Sequence, residues 1–198
     1  MNTLQRGWLN WKHRRKFARL GKGCRFPIPD LTVEGHVELG DLCRFRNNAT
    51  FRTHGEGRIV FSSRSGCSWG VLIEASSLVR IEEYTAIAEY SVVSDTHWVL
   101  IGNEEAPSGV ERVGRPIHIG PNVFVGSSCY IGPGVTIGEG AVVATHSVVL
   151  QDVGPYEIWS GAPARFVSHR TQNIPEAKLR EYQELMARQG LRADRYKT

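Results

Sequence analysis

His97 stands at the end of the run Val93-Ser94-Asp95-Thr96-His97 and at the head of a polar stretch, WVLIGNEEAPSGVERVGRP, rich in turn formers. An imidazole ionises near neutrality, so it can take a proton from a hydroxyl or an amine as that group attacks an electrophile. A long polar insertion in an otherwise regular chain is where binding and catalysis concentrate. Glu74, Glu83, Glu89 and Asp95 are acidic side chains on the same stretch of chain that could meet a cationic or hydroxyl-bearing acceptor. The four cysteines, Cys24, Cys43, Cys67 and Cys129, form no Cys-x-x-Cys pair, which argues against a redox couple and against a zinc site.

What must position His97 is a repeat. From Ile119 the chain divides into the sextets IGPNVF, VGSSCY, IGPGVT, IGEGAV, VATHSV and VLQDVG. The first position is Ile or Val every time, and the fifth is small or β-branched (Val123, Cys129, Val135, Ala141, Ser147, Val153). A short strand with one branched residue inward, followed by a turn, makes one side of a triangular coil, and stacked coils bury a common interior. The same period is read from Val33 through Leu39, Phe45, Phe51, Gly57, Ser63, Trp69, Ala75, Ile81 and Ile87 to Val93 as one register, which is lost at His97 and resumes out of phase at Ile119. In this reading Cys43, Cys67 and Cys129 occupy fifth positions, where a thiol acts as a small buried hydrophobe. His36, His54 and His146 fall at fourth positions, which face outward, and His13 and His169 lie in basic terminal segments. His118 precedes a repeat and is ambiguous, and His97 stands at a fifth position, where the repeat wants a small residue.

The charge is distributed unevenly. Residues 1–25 hold eight basic residues and no acid, residues 26–164 balance at −8, and residues 165–198 balance at +4. An acidic middle does not suit nucleic acid. Residues 4–20 read as a short helix with Leu4, Trp8 and Trp11 on one stripe, an N-terminal cap or subunit contact, or else a basic amphipathic segment that touches anionic lipid at a membrane surface. Residues 175–189 read as a second helix, with Leu179, Tyr182 and Met186 on its apolar stripe. No apolar run of 18 residues and no secretory signal is evident, so a cytoplasmic protein is expected. The expected organisation is a basic helical segment over 1–25, an all-β solenoid over 26–168 interrupted by a loop at 98–116, and a C-terminal helix within 169–198.

The segment from Thr96-His97, through GRPIHIG at 114–120 and the sextets, to SVVLQDVGPYEIWSGAPARFV resembles the hexapeptide-repeat acyltransferases, in particular the maltose, galactoside and colanic-acid-type sugar O-acetyltransferases. The resemblance covers about residues 80–170. It implies a left-handed parallel β-helix, a homotrimer, acetyl-CoA as co-substrate with no metal, and a sugar or glycan acceptor hydroxyl. It also implies that His97 is the general base. Phe124, Gly126, Ser127, Ala144, Thr145 and Arg165 match the positions that hold the coenzyme in a groove between subunits, and Ser68 and Ser76 match acceptor-binding positions, beside Glu74 and Asp95. Phe124 stands where tryptophan is frequent, Gln151 where lysine is common, and His146 where glycine is usual. The serines replace the asparagine and aspartate of the galactoside enzymes, which points to a different acceptor.

Three other readings compete. A zinc hydratase of the same fold needs a set of interfacial histidines whose spacing is missing here. An N-acyltransferase acting on an amino sugar or antibiotic would use the same base and coenzyme. A non-catalytic scaffold would keep the solenoid without His97, the insertion and the GAPAR tail.

Overall fold

A computed structural model describes residues 14–26, 31–100, 110–170 and Arg180. Leu4, Trp8, Trp11 and the segment 175–189, Arg180 apart, lie outside them. The chain winds as a left-handed β-helix of about six coils with three parallel sheets as its faces. The first coil holds β1 (Arg19–Leu20) and β2 (Thr32–Glu34); the second, β3 (His36–Leu39), β4 (Arg44–Phe45) and β5 (Thr50–Thr53). The third is β6 (Arg58–Phe61), β7 (Gly66–Cys67) and β8 (Leu72–Ala75), and the fourth β9 (Leu78–Ile81), β10 (Ala86–Ile87) and β11 (Val92–Ser94). After β12 (Thr96–Leu100) and β13 (Val110–Gly114) come the fifth coil, β14 (Ile117–Ile119), β15 (Phe124–Val125) and β16 (Tyr130–Ile131), and the sixth, β17 (Thr136–Ile137), β18 (Val142–Val143) and β19 (Val148–Val149). β20 (Glu157–Gly161) continues one face, and β21 (Ala164–His169) folds back antiparallel on it.

The first face stacks β1, β3, β6, β9, β14 and β17; the second β4, β7, β10, β15, β18, β20 and β21; the third β2, β5, β8, β11, β16 and β19. Interior positions are filled by columns of stacked side chains, such as Leu39, Phe61, Ile81, Ile119 and Ile137 on the first face, each buried. Each such side chain contributes roughly 1.5–3 kcal/mol. Exposed ion pairs such as Arg52–Glu34 contribute at most about 1 kcal/mol, so the interior columns hold the prism together. At the N-terminal end the filling is aromatic: Phe17 stacks on Phe26 at 5.4 Å, Phe26 on Phe45 at 5.7 Å, and Phe45 meets Phe51 and Phe61 edge-on. These rings close the open end of the solenoid.

Two expectations are corrected. Within 14–20 the chain is not an α-helix: Arg14–Lys16 is a single 3-10 turn, and Arg19–Leu20 pairs with Glu38–Leu39 as a strand. The solenoid therefore begins before residue 26. The register from 33 to 93 is also not continuous. Among the residues that fill the sextet's first position, Phe51 is followed by Phe61 ten residues on and Ile73 by Ile81 eight residues on, where six is the rule. The surplus is six residues, one whole sextet, so the phase returns at Ile81 while Gly57, Ser63 and Trp69 never sit at interior strand positions. Trp69 is 45% exposed. Cys67 is an inward strand residue rather than a corner one, and stacks between Phe45 and Ile87.

The fourth position of most sextets is a left-handed residue. Asn122, Ser128 and His146 have φ near +57°, as do non-glycine corners Leu42, Asn48, Arg64, Tyr84 and Tyr90 at 58–61°. This accounts for His146 standing where glycine is usual.

Candidate functional site

The segment between β11 and β14 leaves the prism at the corner between the third and first faces. It is not an irregular loop where it rejoins: β12 and β13 form an antiparallel ribbon, with His97 opposite Val113. Thr96 is buried and His97 exposed, as the alternation of a strand dictates. Asp95 anchors the ribbon's root. It is fully buried, and its two oxygens accept the backbone N–H groups of Ser76 at 2.6 Å and Ser77 at 2.8 Å. Ser76 and Thr96 join hydroxyls at 2.9 Å. Asp95 thus stands behind the site as a brace, and its burial closes it to an acceptor arriving from solvent. Further along the ribbon, Arg112 meets His54 Nδ1 at 3.0 Å, a contact invisible to the repeat pattern, in which His54 is simply an outward residue. Glu74 lies on the outer surface of the third face and pairs with Arg52 at 3.2 Å.

Three other described histidines meet neighbouring side chains. His36 pairs with Glu38 at 2.9 Å, His118 with Glu82 at 3.3 Å, and His169 packs on Phe166. Among the described residues, no group of three His, Cys, Asp or Glu side chains converges as metal ligands.

The expected coenzyme residues gather at a different edge, where the second face turns into the third. Backbone hydrogen bonds connect Ser68 to Ile87, Ala88 to Val125, Gly126 to Val143 and Ala144 to Trp159, each at 2.8 Å. The track Ser68, Ala88, Gly126, Ala144, Ser160 therefore runs down the prism edge, and Ser160 pairs with Arg165 on β21. Its small side chains leave a furrow. Gly126 is required for close coil packing, since a Cβ there would lie 2.6 Å from the backbone nitrogen of Thr145. Thr145 and Arg165 are exposed beside the furrow, and Phe124 is 47% exposed on its flank. Ser127 and Ser68, expected in separate coenzyme and acceptor roles, meet here: their hydroxyls donate to the two oxygens of Glu89, each at 2.7 Å. Those hydroxyls hold the Glu89 carboxyl below its ordinary pKa. Glu89 was only one of several acids in the sequence; the corner stacking of three coils singles it out.

One chain does not bring His97 and the Ser68–Ser127 furrow together. They occupy opposite edges of the third face, joined by β11 and β16.

Residues 116–151 match the family model described as bacterial transferase hexapeptide (six repeats). No curated protein matches the chain in sequence. Among solved structures, the chain is similar to the N-acyltransferase AntD from Bacillus cereus in complex with dTDP and 3-hydroxybutyryl-CoA, with a TM-score of 0.72 and 16% identity over 92% of this chain and 96% of that one. It is also similar to a hexapeptide-repeat-containing acetyltransferase from Vibrio cholerae (TM-score 0.62, 22% identity, 86% and 84% covered). A maltose O-acetyltransferase from Clostridium difficile gives a TM-score of 0.54 at 20% identity, covering 85% and 78%. These are likenesses of fold.

Proposed function

We propose that this protein is an acetyl-CoA-dependent O-acetyltransferase acting on a sugar or polysaccharide precursor, with His97 as general base. The observation that carries the reading is the break in the repeat: at the corner between β11 and β14 the chain leaves the solenoid and presents an exposed imidazole on a braced ribbon. His97 takes the proton of the acceptor hydroxyl as its oxygen attacks the thioester carbonyl. The C–S bond then breaks, the acyl group stays on oxygen, and the thiolate recovers a proton as coenzyme A leaves.

The furrow from Ser127 to Arg165 is the place for the coenzyme. Gly126 and Ala144 leave room for the pantetheine arm, Thr145 and Phe124 flank it, and Arg165 offers its guanidinium to phosphate. His97 and this furrow lie on different edges, so a productive site needs the ribbon of one copy against the furrow of the next. A homotrimer about an axis parallel to the solenoid supplies that arrangement three times. The protein works in the cytoplasm in this reading, with its basic N-terminal segment as a peripheral membrane contact.

A second reading, N-acyl transfer to an amino sugar, is favoured by the likeness to AntD, which extends over nearly the whole chain. The two differ in the nucleophile and share the base.

The test is release of free thiol from acetyl-CoA in the presence of sugars, amino sugars and nucleotide sugars. His97→Ala is expected to lower turnover by about 10²–10⁴ with assembly and coenzyme binding intact. Unchanged turnover in that variant overturns the role of His97.

A further inference from the structure

On the second face, residues in register down the coils are Arg44, Gly66, Ala86 and Phe124. Two long side chains thus bracket two small ones. Strands in a sheet lie about 4.8 Å apart, so roughly 14 Å separates the strands of Arg44 and Phe124. The result is a depression of about 510 Å³ floored by Gly66, Ala86 and Ala88. Its upper wall is cationic. Arg25 sits one coil above Arg44 through a parallel bridge, and Arg46 follows two residues along the same outward side of the strand.

No carboxylate among the described residues pairs with these arginines. Among the described residues the Arg–carboxylate pairs all belong to Arg52, with Glu34 and Glu74. Arg46 lies over the Trp69 ring at 5.3 Å, which fixes its direction without neutralising it. The acid that lines the depression, Glu89, is turned to Ser68 and Ser127, which occupy both its oxygens. Three guanidinium groups against one hydroxyl-bound carboxylate leave net positive charge in the depression. Two stacked arginines and a third one step along the strand are spaced for adjacent phosphates rather than for a single one, and each can bind phosphate through two parallel N–H groups.

We infer that this depression binds a diphosphate group, that of a diphosphate-linked acceptor. The assignment to the acceptor rests on the acyltransferase reading. The coenzyme furrow ends on Arg165, beyond the sixth coil, whereas Arg25, Arg44 and Arg46 belong to the first two. The two cationic ends therefore serve two ligands, and the small residues between them leave the path along which acceptor and thioester approach.

The experiment is equilibrium binding of inorganic pyrophosphate, UDP and geranyl diphosphate to the full chain in its native assembly, with and without saturating coenzyme A. At least one probe is expected to bind saturably, to bind alongside coenzyme A, and to lose ten-fold or more in affinity in the double variant Arg44→Ala/Arg46→Ala. Arg58→Ala, on the first face, should bind as the parent does. Tighter binding of UDP than of geranyl diphosphate identifies a nucleotide-linked source, and the reverse order a lipid-linked one. Absence of binding by all three, equal binding by the double variant, or full displacement by coenzyme A overturns the inference. Binding is read without turnover, so its failure strikes this inference alone. Protein that binds these probes yet releases no thiol from acetyl-CoA with any acceptor strikes the acyltransferase reading, and with it the assignment to an acceptor, while the diphosphate site itself stands.

Discussion

Arg112 on β13 donates to His54 Nδ1 across 3.0 Å, tying the ribbon that carries His97 to a corner two coils away. The direction follows from chemistry: a guanidinium only donates, so Nδ1 is the acceptor. His54 lies among the residues inserted between Phe51 and Phe61, and the insertion brings it within reach of the ribbon. Removing the tie by His54→Ala is expected to raise amide exchange in 96–100 and 110–114 with little change in global stability, about 1 kcal/mol or less, because the pair is exposed. Hydrogen exchange resolved by peptide checks it. A ribbon that exchanges as in the parent would show that its position is set by Asp95 alone.

Asp95 is the stronger anchor. Asp95→Ala would leave the N–H groups of Ser76 and Ser77 without their acceptor in a buried corner, at a cost of about 2–4 kcal/mol. Asp95→Asn keeps one acceptor oxygen and should cost less. Urea unfolding of the three proteins gives the order directly.

Glu89 gives a pH dependence with a defined sign. Its carboxyl is held below the ordinary carboxylate range by the Ser68 and Ser127 hydroxyls. A depressed folded-state pKa means the contribution is present above the unfolded value, about 4.3, and is lost as pH falls through the folded one. The difference in melting temperature between the parent and Glu89→Gln should be constant from pH 8 to about pH 5 and shrink only in more acid solution. A difference that already changes near neutrality would contradict the assignment.

Leu42 occupies a left-handed conformation with φ of 60° and is 44% exposed. Asparagine tolerates that region better, and little packing is lost. Leu42→Asn should raise stability by up to about 1 kcal/mol, read as a higher melting temperature.

Burial pushes the Cys67 thiol well above its ordinary pKa, and Cys24, Cys43 and Cys129 are buried with it. All four are expected to resist a thiol reagent in the native protein and to react together on unfolding. Rapid labelling of one thiol in the folded state would place it at a functional surface instead.

The period of six was legible in the residues themselves. Alternating inward positions require branched side chains and tight corners require small or left-handed ones, so Ile119 to Val149 can be placed without coordinates, and the loss of period marks His97. The relations between coils were not legible. A corner admits extra residues without disturbing the strands on either side, so four added after Phe51 and two after Ile73 return the chain to phase and hide the slip. Only coil-on-coil pairing shows that Arg44 stacks over Gly66, Ala86 and Phe124, that Ser68 and Ser127 share Glu89, and that His54 reaches Arg112. Local periodicity sets which way each side chain points; which residues become neighbours along the prism is set by the lengths of its corners, and those are decided by how the coils pair and pack.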